Sequence, residues 1–144
     1  MKKRYVLSLI SLVIPIVYWS VILYHSFNSF ENMVLDQISE AEITSIEIEK
    51  SLSEEKVIIE DKKEIETIIQ KFADVKLRRT EGLERFKESY SISIFVNKGM
   101  RFGIMLTDTN SVYIYDYHKK DKYSSGSFKI TSDFDGAFIA NLFK

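Results

Sequence analysis

The chain has no cysteine. That excludes a disulfide scaffold, a thiol nucleophile and attachment through a lipid-modified cysteine. Histidine is scarce as well: His25 and His118 form no His-x-x-x-His pair, and no acidic loop has calcium spacing, so no metal site is expected. No G-x-S-x-G or S-x-x-K motif occurs, and the five glycines build no phosphate-binding loop. The serines of the 124–127 stretch have no identifiable base and read as a loop. Acids are plentiful, so no carboxylate pair stands out for glycosidase chemistry. These absences lead to the expectation of a chain that is not an enzyme and carries no cofactor and no metal. The single proline, Pro15, falls inside an apolar stretch, where it frees one backbone carbonyl and is read as tolerated.

That stretch is the longest hydrophobic run. Residues 5–24 carry no charge and follow Lys2, Lys3 and Arg4 directly. At about 1.5 Å per residue a helix of this length reaches roughly 30 Å, the thickness of a bilayer's hydrocarbon core. A cleaved signal peptide normally has a shorter apolar region and a small-x-small cleavage site. Here the run ends among Trp19, Tyr24, His25, Phe27 and Phe30. The expectation is a retained signal-anchor: a cytoplasmic tail at 1–4, a transmembrane helix at 5–24, a juxtamembrane stalk at 25–42 and an extracytoplasmic α+β domain at 43–144. The positive-inside rule places the N-terminus in the cytoplasm and the C-terminal domain outside, in a single-pass cell-membrane protein. Tyr18, Trp19 and Tyr24 suit the outer interface and Tyr5 the inner one.

The net charge is −1, and removing the three N-terminal positives leaves −4 for residues 25–144. Together with the expected location this argues against a nucleic-acid partner. Residues 31–66 hold twelve acids against four lysines, and residues 67–101 hold eight bases against four acids. The two regions can pair within the fold or meet a charged partner.

The spacing of Phe27, Phe30, Val34 and Ile38 is helical. Ile46 and Ile48 alternate with Glu47 and Glu49, and Val57–Ile59 follows a turn at 51–55, which reads as a hairpin. Asp61 precedes Ile65, Ile68, Ile69 and Phe72, a capped amphipathic helix over 62–73. Residues 75–80 allow a short basic strand. Three strands follow at 89–96, 100–107 and 111–117, with turns at 97–99 and 108–110, and 126–130 allows another. Phe134, Phe138, Ile139 and Leu142 read as a final helix capped by Thr131 or Ser132. The expected fold is α+β: the N-terminal transmembrane helix, then a small antiparallel sheet of about 5–6 strands with two helices packed on one face.

Two surface clusters emerge. The first is a binding face of Tyr113, Tyr115, Tyr117, His118, Lys119, Lys120 and Tyr123. If the sheet is covered on one side, Ser91, Ser93, Phe95, Arg101 and Met105 join the tyrosines on the other. The alternation equally allows Val112 and Ile114 to face outward. Such a face suits a sugar, an anionic polymer or a protein, and the tyrosines also suit plain cross-strand packing. The second cluster is a basic patch of Lys76, Arg78, Arg79, Arg85 and Lys87. It can dock an acidic partner or anionic headgroups, or pair with Glu47, Glu49, Glu54 and Glu55.

Lys-Lys-Arg, one apolar run, then strand–strand–helix and a tyrosine-rich meander resembles the small, uncharacterised membrane-anchored extracytoplasmic domains of Gram-positive bacteria. The resemblance implies no activity and assigns no site residue. The leading expectation is a non-enzymatic binding or accessory module that contacts another membrane or envelope protein. The alternative is a protein that binds an envelope polymer, or a peptide or toxin in a protective role, through the Tyr/Lys face. An unrecognised enzyme ranks third.

Overall fold

Buried and exposed side chains alternate along the strands from residue 43 onward, with Ile46 and Ile48, Ile92 and Ile94, Phe102, Ile104 and Leu106, and Val112 and Ile114 all turned to one side. That period of two is what a sheet with a single buried face requires. The computed structural model describes residues 2–38, 42–122 and 125–144, and the side chains of all of these but 2–10 and 25. Its elements are α1 (Lys2–Ser26), β1 (Phe27–Ser29), α2 (Phe30–Met33), a 3-10 turn at Leu35–Gln37, β2 (Ile43–Lys50), β3 (Lys56–Ile59), α3 (Lys62–Ala73), β4 (Lys76–Thr80), β5 (Ser89–Val96), β6 (Gly99–Thr107), β7 (Ser111–Asp116), β8 (Ser125–Ile130) and α4 (Ala137–Asn141).

The fold is α+β, with one antiparallel sheet of eight strands in the order β1-β4-β8-β7-β6-β5-β2-β3. This corrects the expected 5–6 strands and two helices, since eight strands and four helices are found among the described residues. Of the three strands beyond a count of five, two, β4 and β8, fall where the sequence allows strands, at 75–80 and 126–130, and pair with each other. They are short and half polar, and the hydrogen bonds between them lie far apart in sequence, where periodicity gives no signal. The third, β1, comes from residues whose spacing reads as helical. Phe27–Ser29 pairs with Lys76–Arg78, and only then does Ser29 cap α2 by accepting a hydrogen bond from the Asn32 N–H at 3.1 Å. Residues 27–38 therefore belong to the folded domain, with Phe30 and Val34 buried in its core.

The expected transmembrane helix over 5–24 is also corrected. Among the described residues no helix is long and apolar enough to cross a membrane. The side chains of α1 are described over 11–24. Those side chains are exposed on every side of the helix, Trp19 and Tyr24 among them.

The helices that follow α1 cover the buried face of the sheet. Ile65, Ile68, Ile69 and Phe72 of α3 are buried. Phe72 stacks on Phe30 at 4.9 Å between ring centroids and meets Phe134 and Phe138 at 5.4 and 5.7 Å, which ties α2, α3 and the C-terminal segment together. Asp61 caps α3 as its sequence indicates, its Oδ1 accepting from the N–H groups of Lys63 and Glu64, both at 3.0 Å. Asp61→Ala is expected to cost about 1 kcal/mol in a urea titration, the usual worth of such a cap. The final helix is shorter than its spacing indicates. Ser132 is occupied elsewhere, accepting from the Lys76 N–H at 2.9 Å, and α4 starts only after Asp135 has accepted from the Ala137 N–H.

Candidate functional site

With the helices on one side, the other face of the sheet is open. Strand pairing lays its side chains in rows. One row runs Glu47, Ser93, Gly103, Tyr115, Ser125, and the next runs Glu49, Ser91, Met105, Tyr113, Ser127. The tyrosines of β7 therefore stand between strands whose neighbouring side chains are small. Large rings beside a floor of serine and glycine leave a groove of about 430 Å³, walled by Tyr113, Tyr115, Tyr117, Met100 and Met105 over Ser91, Ser93 and Gly103. Tyr113, Tyr115 and Tyr117 are 36%, 37% and 52% exposed, while Val112 and Ile114 are buried, which decides between the two registers left open by the alternation.

Tyr115 and Tyr117 meet edge to face at 4.6 Å between centroids. This is the geometry that aromatic quadrupoles favour. The ring of Tyr117 also lies across Gly103: a β-carbon there would stand 3.3 Å from the ring. Gly103 thus permits the close approach that shapes the groove, as glycine inside a strand commonly does.

The residues singled out from the sequence divide into separate groups. Tyr113, Tyr115 and Tyr117 share the open face with Ser91, Ser93 and Met105. His118, Lys119 and Lys120 do not: they lie beyond the end of β7, where the backbone N–H of His118 donates to Asp116 Oδ1 at 2.9 Å. Tyr123 lies outside the described residues. Arg101 is drawn away by an irregularity in β6. Ile94 pairs with Phe102 and Phe95 with Met100, so Arg101 is an extra residue in its strand. Such bulges re-aim a side chain. The Arg101 guanidinium reaches the buried Asp116 carboxylate at 3.2 Å and lies over the ring of Phe102.

The basic patch is likewise dispersed. Lys76 and Arg78 are exposed on β4, and Arg85 and Lys87 are exposed in the loop after it. Arg79 turns inward, donating to the Ser125 carbonyl at 3.1 Å and packing against Gly126 and the ring of Phe128. Among the described residues none of the five pairs with Glu47, Glu49, Glu54 or Glu55. The strand order explains this: β4 and β2 are five strand spacings apart, about 24 Å. Glu47 pairs with Lys56 inside its own hairpin instead.

Gly103 and Met100 are the groove residues missed by the sequence reading. The signal for Gly103 was a lone glycine within a strand pattern. No group of three His, Asp or Glu side chains able to hold a metal occurs among the described residues. Comparison with protein-family models, with curated proteins and with solved structures gives no match.

Proposed function

We propose that the protein is a non-enzymatic binding module, held at a lipid membrane through α1, that presents the tyrosine groove to another membrane or envelope protein. The observation that carries this reading is the open face itself. Three exposed tyrosines and two methionines border a groove on one side of a sheet whose other side packs the core. Tyrosine supplies a large contact area at low entropic cost, and methionine adapts to a partner's shape, so both are favoured at protein interfaces. The largely apolar side chains of 11–24 in α1, exposed all round, support attachment to lipid, the environment in which such a surface is stable. The separation of His118, Lys119 and Lys120 from the tyrosines speaks against the alternative of an anionic polymer gripped jointly by rings and lysines.

The test is photo-crosslinking from the full-length chain in cells. A benzophenone side chain at Tyr113 is expected to label one protein, and the same group at Thr67, exposed on α3, is expected to label none. Gly103→Val, which pushes the Tyr117 ring out of place, is expected to cut the Tyr113 cross-link at least about tenfold, equivalent to 1.4 kcal/mol. Equal labelling from both faces, or indifference to Gly103→Val, would sink the proposal. Labelling of a glycan or a secreted peptide from Tyr113 would transfer it to the alternative.

A further inference from the structure

We infer that the end of the sheet from which α1 departs rests on an anionic lipid surface. The inference depends on the proposed attachment of α1 to a membrane and adds to it an orientation and a lipid chemistry. No residue separates α1 from the sheet: the helix ends at Ser26 and β1 begins at Phe27. Phe27 pairs with Arg78, so β1 starts at the end of the sheet where β4 finishes. The same end holds the close of β7 and the start of β8, as the pairing of Tyr115 with Ser125 shows. The segment after β7 is therefore beside the exit of α1, and Lys119 shares a cavity of about 150 Å³ with Asn28 and Asn32.

This end of the molecule has the chemistry of a headgroup-binding surface. Arg78, Lys119 and Lys120 have no carboxylate partner among the described residues, and Lys120 and Arg78 are exposed. Asp116 lies at this end but is committed to Arg101. Glu31 on α2, Glu81 after β4 and Asp121 after β7 are the acids of the segments that meet here, against Arg78, Lys119, Lys120 and Lys122. Phe27, 60% exposed, stands beside Arg78 as an apolar side chain able to enter the interface between the bases. At the opposite end of the sheet Lys50 and Lys56 are already paired, with Glu88 and Glu47. An anchored helix that enters the sheet without a linker brings its own end of the domain within a Debye length of the lipid, where bases act on anionic headgroups.

The absence of native cysteine makes a direct test available, because one introduced thiol carries the only label. Gly82→Cys marks the α1 end, where an added β-carbon meets nothing within 4 Å, and Ser53→Cys marks the exposed turn at the far end. The full-length chain, labelled with an environment-sensitive dye, is mixed with vesicles of phosphatidylcholine alone or with phosphatidylglycerol, each carrying a headgroup-located quencher. The expected result is quenching at position 82 and not at 53, strengthened by phosphatidylglycerol. Lys119→Glu with Lys120→Glu is expected to lower the seated population at least about fivefold, the worth of one base at an anionic surface. Co-flotation with both vesicle types but equal quenching at the two positions, or quenching indifferent to phosphatidylglycerol and to the double substitution, overturns the seating and leaves the attachment standing. Failure to float with either vesicle type overturns both.

Discussion

Asp116→Ala is expected to destabilise the domain by about 3–5 kcal/mol, the range for stripping the partner from a buried charge. The Asp116 side chain is 4% exposed and that of Arg101 is 12% exposed, so the guanidinium would be left charged where little water reaches it. Its position is already demanding, because Arg101 Nε is buried without a hydrogen-bond partner among the described residues. The carboxylate has a second duty, accepting from the N–H of His118, and alanine removes that too. Asp116→Asn keeps the acceptor for His118 and loses the charge, so it is expected to cost less than alanine and more than a surface change. Adding Arg101→Met to Asp116→Ala removes the stranded charge and is expected to recover most of the loss. Urea titration of the four proteins checks the series. A cost below about 1 kcal/mol for Asp116→Ala would mean that the pair behaves as a solvated surface contact.

The same pair connects the core to the open face. Arg101 is the extra residue of the irregularity in β6, and its carbonyl accepts from the Tyr117 N–H at 3.0 Å. Tyr117 in turn lies over Gly103 and against Tyr115. A buried ion pair is weak evidence of stability, since an apolar pair of equal volume often serves as well. The pair sits where the strand shifts register, next to the tyrosine wall of the groove.

The elements legible in the sequence were those whose hydrogen bonds or hydrophobic periods are local. Asp61 and the Ile65–Phe72 spacing gave α3 with its cap, and the alternation of 89–96 against 100–107 gave the central hairpin. The turn of that hairpin was placed at Asn97–Gly99, yet the left-handed residues are Asn97 and Lys98 while Gly99 already pairs with Val96. The tyrosine face was legible as a period of two, but its side was not, because Tyr113-Ile114-Tyr115 is apolar in both phases until helices cover one face. The lysines were grouped with the tyrosines by adjacency in the chain, which says nothing about the end of a strand. Arg101 followed the alternation only until the extra residue turned it over. The sheet edge was the largest omission. Phe27, Phe30 and Val34 have helical spacing, and the hydrogen bonds that make Phe27–Ser29 a strand come from residues 76–78, about fifty positions away.

That edge supplies the second large expected effect. Phe30→Ala should cost about 3–5 kcal/mol, the range for removing a buried phenylalanine. A juxtamembrane stalk would register no such loss. Phe30 is 2% exposed, stacks on Phe72, and its backbone N–H donates to the Val75 carbonyl at 2.9 Å, so it joins the edge of the sheet to the helical layer. The control is Phe27→Ala, three residues earlier on a side chain 60% exposed, for which less than about 0.5 kcal/mol is expected. Urea titration of both variants reads the difference directly. It also bears on how the domain is bounded: a chain cut to residues 41–144 discards Phe30, Val34 and the strand that pairs with Lys76–Arg78, and should be less stable than the Phe30→Ala variant. If Phe30→Ala proves as silent as Phe27→Ala, the edge strand does not contribute to the fold, and α1 is tied to the sheet by nothing that could hold one end of it against a membrane.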